Sequence, residues 1–258
     1  MSKLRTLHKN TMQTLGAPHA LPTLTVPFLF LMLVGVGIFL LCRFLAVLMV
    51  LYLSRGMADL LQLTVIPCLA FLLVAFLALP LWLGRLRMAG LVLAGETPLY
   101  GSCFYYFKHP KRYRRALGIS VLLALVYGLA GLAVYGIFAG TFSVYYHVIL
   151  YYVPEYALPL LLLLLHVALA GTAGVIYLAG AFLPFAAVAV GNEELSAGGA
   201  FVRAVRAGRK NMPGNFVFAL RQMLWLALCL VSVMVLYVMW YSHYFNLFYL
   251  RYSMEVTQ

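Results

Sequence analysis

Long apolar runs separated by short polar segments organise this chain. Residues 27–53, 63–83, 116–138, 157–190 and 214–240 are apolar over most of their length. Each reaches the roughly 20 residues that a helix needs to cross a hydrocarbon core of about 30 Å. None shows the apolar/polar alternation of a barrel strand, so the pattern predicts helices. In the second run Pro67 and Pro80 lie near the ends, where a lost backbone hydrogen bond costs least. The fourth run has 34 residues, about 51 Å as continuous helix, too short for two crossings and a turn. It reads as one long helix, bent near Gly180 and Pro184, that projects beyond the membrane. The tail, 241–258, is aromatic but too short and polar for a sixth crossing.

The pattern therefore predicts an all-α, polytopic transmembrane bundle of five spans. A segment at 1–26 precedes the membrane domain at 27–240, whose connecting segments at 84–115 and 191–213 are basic, and the tail follows. Composition agrees: 65% of residues are hydrophobic and 9% charged, against about 45–50% and 25% in soluble domains. The first apolar run is also far longer than the core of a signal peptide, roughly 7 to 15 residues, so the first helix is expected to remain in the mature protein.

Net charge is +12, and its placement matters more than its sum. Fourteen Lys and Arg fall in 1–26, 84–115 and 191–213, whereas the alternate segments hold only Arg55 and Arg251; Arg43 and Arg221 lie within spans. By the positive-inside rule this predicts a cytoplasmic N-terminus and an external C-terminus, in what we expect to be a bacterial plasma membrane. A basic chain also raises nucleic acid as a partner, but these cations abut spans, and membrane anchoring accounts for them better.

Two basic stretches are candidate lipid sites. Around 196–210, Arg203, Arg206 and Lys210 follow helical spacing on one face while Phe201 and Val205 lie four apart on another. Such a helix can rest in the interface with its cations on anionic headgroups, each contributing about 1 kcal/mol. Lys111, Arg112, Arg114 and Arg115 follow an aromatic run, Phe104 to Phe107, beside the third span. For the first stretch the plainer reading is that its charges only fix topology, and for the second it is interfacial anchoring.

Three ionisable groups are expected inside the membrane. Arg43 lies sixteen residues into its span, about 24 Å along it. An arginine at depth costs at least about 2.5 kcal/mol, which calls for a partner, a water-filled route or snorkelling. Arg221 is about two turns inside its span and within snorkelling reach. His166 reads as a neutral imidazole bonded between helices, with a proton relay as the alternative. All six acids, Asp59, Glu96, Glu155, Glu193, Glu194 and Glu255, lie outside the spans, which argues against a carrier built on a buried carboxylate.

Other expectations are structural. Small residues four apart, Ala124 with Gly128, Gly136 with Gly140, and Ala170 with Gly174, predict close helix approach within the chain. Tyr145, Tyr146, Tyr151, Tyr152 and Tyr156 are expected to gather with Tyr237, Trp240 and the tail aromatics as an external belt or ligand-stacking mouth. The four cysteines are scattered and read as buried thiols, with no spacing suited to a metal. No P-loop, G-x-S-x-G or H-E-x-x-H occurs. We therefore expect no enzyme, no cofactor and no metal site.

Leu195, Ser196, Ala204, Val205, Met212, Gly214, Phe216 and Phe218 carry a resemblance to an uncharacterised bacterial family of multi-pass membrane proteins, and more distantly to the membrane domain of glycerophosphodiesterases. Gly208 stands where that pattern has Ser, the gap from Ser196 to Ala204 is several residues longer, and Pro213 is foreign to it. The resemblance implies only a multi-pass membrane protein. The leading expectation is thus a non-enzymatic membrane protein whose basic face binds anionic lipids, a partner membrane protein or a second copy. The alternative is a transporter or accessory permease subunit with a route near Arg43.

Overall fold

A computed structural model describes residues 2–17, 20–53, 55–231 and 241–257, and among these every regular element is helical. Helix α1 spans Ser2–Leu15 and α2 spans Ala20–Tyr52. Helix α3 (Arg55–Leu73) passes through a π-turn at Val74–Ala78 into α4 (Leu79–Leu93), and a 3-10 helix follows at Tyr100–Lys108. Helix α5 (Pro110–Val144) continues through a π-turn at Tyr145–Ile149 into α6 (Leu150–Tyr152). After a 3-10 turn at Pro154–Tyr156, α7 (Ala157–Ala179) leads through a 3-10 turn at Gly180–Phe182 to α8 (Phe185–Gly191). Helices α9 (Ala197–Lys210), α10 (Met212–Val231) and α11 (Ser242–Thr257) complete the order.

Proline chemistry explains two of the irregularities. Pro80 has no N–H for the carbonyl of Phe76 four residues earlier, and the hydroxyl of Tyr113 donates to that carbonyl at 2.9 Å. Pro184 likewise has no N–H for the carbonyl of Gly180, which accepts instead from the N–H of Leu183 and from Asn215 Nδ2 at 2.8 Å. At the end of α4, Gly95 adopts φ +85. Its N–H bonds the carbonyl of Val92 and that of Glu96 bonds Leu91, the pairing that closes a helix with a left-handed residue.

Four helices are long and apolar enough to cross a membrane: Ala20–Tyr52, Thr64–Leu93, Pro110–Tyr152 and Pro154–Gly191. They form two hairpins, α2 against α3 and α5 against α7. Little of them is buried in protein: Leu33, Leu132 and Leu158 are each about two-thirds or more exposed. Apolar surface on that scale is stable against hydrocarbon rather than water. The packed core sits at one end, where Leu24 of α2, Leu83, Leu86 and Met88 of α4, Tyr106, Ile119, Phe185, Phe218 and Phe248 meet.

Of the fifth crossing expected at 214–240, the described residues form α10, which is not among the four helices long and apolar enough to cross. The Tyr241 hydroxyl donates to Gln222 Oε1 at 2.9 Å. Helix α11 runs back along α10, with the Phe218 ring stacked on Tyr252 and on Phe248; residues 232–240 of that run lie outside the described residues. The two ends of the described chain lie side by side. Helix α1 packs on α11: His8 Nδ1 lies 2.8 Å from the Tyr244 hydroxyl, and Arg251 Nη2 donates to Thr14 Oγ1 at 2.6 Å. Both ends belong to the same end of the bundle.

Small-residue packing is also redrawn. A Cβ added at Gly128, Gly136, Gly140 or Gly174 would meet open space. Close approaches fall elsewhere: at Gly84 against the backbone of Cys103, at Gly208 against that of Ala181, at Gly118 against Ala197 and at Gly171 against Ile137 at 3.3 Å. Cys103 is buried as expected, but Cys68 is exposed on α3 and Cys42 half-exposed on α2.

Candidate functional site

Helix α9 carries four exposed cations, and its sequence explains how. Ser196, in extended conformation, accepts a hydrogen bond from the N–H of Gly199 at 3.1 Å and so starts the helix. Ala200, Ala204 and Gly208 recur every fourth residue and are buried, which lets the backbone of α9 lie against the turn at 180–182. At Gly208 any side chain would run into the carbonyl of Ala181. Phe201 turns inward as well, stacked on Phe182 and edge-on to Phe185. The apolar side expected to lie among acyl chains is therefore shared with protein, and Phe201 and Val205 remain half-exposed. What faces outward is Val202 with Arg203, Arg206, Arg209 and Lys210. Arg209 and Lys210 also sit in the last turn, where cations favour the helix dipole.

The second predicted basic stretch divides into exposed and committed cations. Lys111, Arg112 and Arg114 are exposed at the start of α5. Arg115 turns inward and donates to the carbonyls of Ala189, Asn192 and Leu195, each at 2.7 Å. It thereby satisfies acceptors left over at the C-terminal end of α8. Its guanidinium is engaged with backbone carbonyls of the connection from α8 to α9.

An ionic cluster pins the loop between α8 and α9. Glu193 accepts from Arg87 Nε at 2.8 Å and from the Tyr105 hydroxyl, while the guanidinium groups of Arg87 and Arg112 lie 3.8 and 4.2 Å from the centre of the Tyr105 ring. Burial pushes the Glu193 carboxyl up. The hydrogen bonds from Tyr105 and Arg87, with the charges of Arg87 and Arg112, outweigh that and hold it below the usual carboxylate range. Arg203 Nη1 reaches Asn192 Oδ1 at 3.3 Å in the same loop.

Beneath the platform, Asn215 is fully buried and serves three groups. It donates to the carbonyls of Gly180 and Gly208 and accepts from the Tyr252 hydroxyl at 2.8 Å. Asn211 Nδ2 donates to the same hydroxyl. The bend after α7, the end of α9, the start of α10 and helix α11 are thus tied at one point.

A further polar chain joins α4, α11 and α2. Arg85, 3% exposed, donates through Nη2 to Ser242 Oγ and to His243 Nδ1 at 2.9 Å, and lies 4.5 Å from the centre of the Phe28 ring. With Nδ1 accepting, the neutral imidazole holds its proton on Nε2, 3.1 Å from Thr25 Oγ1. Thr25 in turn donates to the carbonyl of Leu21. Burial first, and then the neighbouring charge of Arg85, push the His243 imidazole down to about 3. Sequence reasoning missed this group: Arg85 reads as one of several loop cations, and His243 lies 158 positions away.

The other intramembrane candidates are dispersed. Arg43 is exposed on α2 beside Leu40, Phe44 and Val47, themselves 51% exposed or more, on surface that faces outward from the helix pair. His166 is exposed, and its Nδ1 donates to Leu162 on its own helix at 2.7 Å, not to a neighbouring helix. Arg221 is half-buried with its guanidinium 5.5 Å from the Phe248 ring centre, beside α11. The expected aromatic mouth does not form. Tyr241, Tyr244, Tyr249 and Tyr252 are buried at the end that holds α1 and α9, whereas Tyr145 pairs with Tyr146 and Tyr151 with Tyr152 in the connection from α5 to α7. Tyr237 and Trp240 lie outside the described residues.

Among the described residues no group of three or more His, Cys, Asp or Glu is placed to hold a metal ion. Compared with protein-family models, with curated proteins and with solved structures, the chain has no match.

Proposed function

We propose that this chain is a non-enzymatic, multi-pass protein of a bacterial plasma membrane, whose cytoplasmic face gathers anionic lipid around it. The reading takes four crossings with both ends cytoplasmic. Sixteen of the eighteen Lys and Arg then lie at the end that holds α1, α9 and α11, leaving only Arg43 within a span and Arg55 at the opposite end. That asymmetry is the positive-inside pattern.

The observation that carries the proposal is the outward face of α9. Small residues press one side of this helix onto the protein, and Arg206, Arg209 and Lys210 stand exposed on the other with no hydrogen bond or ion pair among the described residues. A row of uncommitted cations beside spanning helices attracts phosphate headgroups, at about 1 kcal/mol per charge near the surface. Lys111 and Arg114 extend the same field. A transport role draws no support from Arg43, which faces outward among exposed apolar side chains.

The test is the lipid composition of native nanodiscs excised around the protein by an amphipathic polymer. Anionic lipids are expected to be enriched over the bulk membrane, and the enrichment to collapse in the triple variant Arg206→Gln, Arg209→Gln, Lys210→Gln. Equal composition around both proteins would end the lipid reading. A co-excised acidic membrane protein that is lost in the triple variant would put a protein partner on this face instead.

A further inference from the structure

The outward face of α9 is not a uniform charged surface. Two depressions flank a common ridge formed by Val202, Arg206 and Lys210. One, of about 810 Å³, lies between α9 and the last turn of α11, with Gly198, Gly199, Arg203 and Val256 along it. The other, of about 430 Å³, adds Phe201, Val205 and Arg209 on the far side of the ridge. The first is cationic and floored by glycine; the second is apolar at its Phe201 and Val205 end.

Gly198 widens the first depression. It is exposed, and a Cβ built on it meets nothing within 4 Å, so the space a side chain would fill is open. It also lies in the first turn of α9, where the N–H of Gly199 is taken by Ser196 while those of the other opening residues have no helical acceptor. The depression thus begins at the positive end of the α9 dipole and is followed one and two turns on by Arg203 and Arg206.

We propose that the paired depressions are a stoichiometric site for one anionic phospholipid. The phosphate lies in the glycine-floored trough between α9 and α11, held by Arg203 and Arg206, and an acyl chain crosses the Val202 ridge to lie along Phe201 and Val205. Charge complementarity selects the phosphate, and the adjacent apolar trough selects a lipid over a free phosphate compound. The site deepens the lipid-gathering reading and rests on it. It differs in predicting one retained lipid, not a diffuse enrichment.

The experiment is native mass spectrometry of the full chain in a mild detergent, titrated with phosphatidylglycerol or with phosphatidylcholine. One phosphatidylglycerol is expected to remain bound at activation energies that strip phosphatidylcholine. Arg206→Gln with Lys210→Gln removes two of the cations and is expected to weaken that binding by about thirtyfold. The deciding variant is Gly198→Leu, which fills the trough, leaves every charge in place and improves helix propensity. It is expected to lose the retained lipid while keeping the anionic enrichment of its native nanodiscs. If Gly198→Leu holds the lipid as the parent does, the site is wrong although the general reading stands; if the nanodisc enrichment is missing from the parent, both fall. Displacement of the lipid by an equal concentration of glycerol 3-phosphate would show that no acyl chain is held, and would overturn the proposal.

Discussion

Single residues fix how the packed end responds to pH. His243 is buried, bonded as a neutral ring to Arg85, and depressed to about 3 from an ordinary 6.5. In the unfolded chain it takes up a proton as pH falls below about 6.5, while in the folded protein it does not until about 3. Its contribution to stability is therefore complete above about 6.5 and is lost as pH falls from there towards 3. His8 is displaced in the same direction, by burial and then by the charge of Arg221, and adds to the trend. The melting temperature in detergent is expected to fall through this window. His243→Asn keeps an acceptor for Arg85 without the titration and is expected to flatten most of the slope. Equal slopes in both proteins would remove His243 from the account. The basic character of these residues was legible in the sequence. Their division was not: Arg115 is spent on three carbonyls and Arg206 on none, and nothing in residue type separates the two.

At the scale of elements, helix α9 was legible from Ser196 and from the spacing of its cations, but the side it buries was not. The periodicity sets Phe201 and Val205 as an apolar face, yet the tightest packing runs along Ala200, Ala204 and Gly208. Glycine at a close crossing and glycine on a lipid-facing surface look alike in a sequence and behave oppositely on substitution. Gly128→Ala, where a Cβ meets open space, is expected to raise stability by about 0.5–1 kcal/mol through helix propensity. Gly208→Ala carries the same propensity gain but drives a methyl group into the Ala181 carbonyl, and is expected to lower stability by about 1–3 kcal/mol. Denaturation by graded sodium dodecyl sulfate in mixed micelles reads both. A stabilised Gly208→Ala would show that α9 does not lie against the turn at 180–182.

For the whole molecule, the testable difference is the number of crossings. Substituted cysteines at Asn10 and Met254, both exposed, are placed together by the packing of α1 on α11. In a background freed of native cysteine, an impermeant maleimide is expected to spare both in intact cells and label both in inverted vesicles. A cysteine at Tyr151, 77% exposed in the connection from α5 to α7, is expected to do the reverse. Labelling of position 254 but not of position 10 in intact cells would restore a fifth crossing and refute the fold-back of α11.

The sequence by itself determined that this chain is helical, that its long runs suit hydrocarbon, and that its cations collect between those runs. Those properties are sums over neighbouring residues, because transfer from water and helix formation act locally along a chain. Only the tertiary structure decided that α11 packs on α10 and on α1, and which cations are left exposed. Each of those outcomes depends on partners remote in the chain: His8 meets Tyr244, 236 positions on, Arg85 meets His243, and Asn215 meets Tyr252. A buried polar group must find its hydrogen bonds wherever the fold supplies them, so its partner is a property of the packing and not of the local pattern.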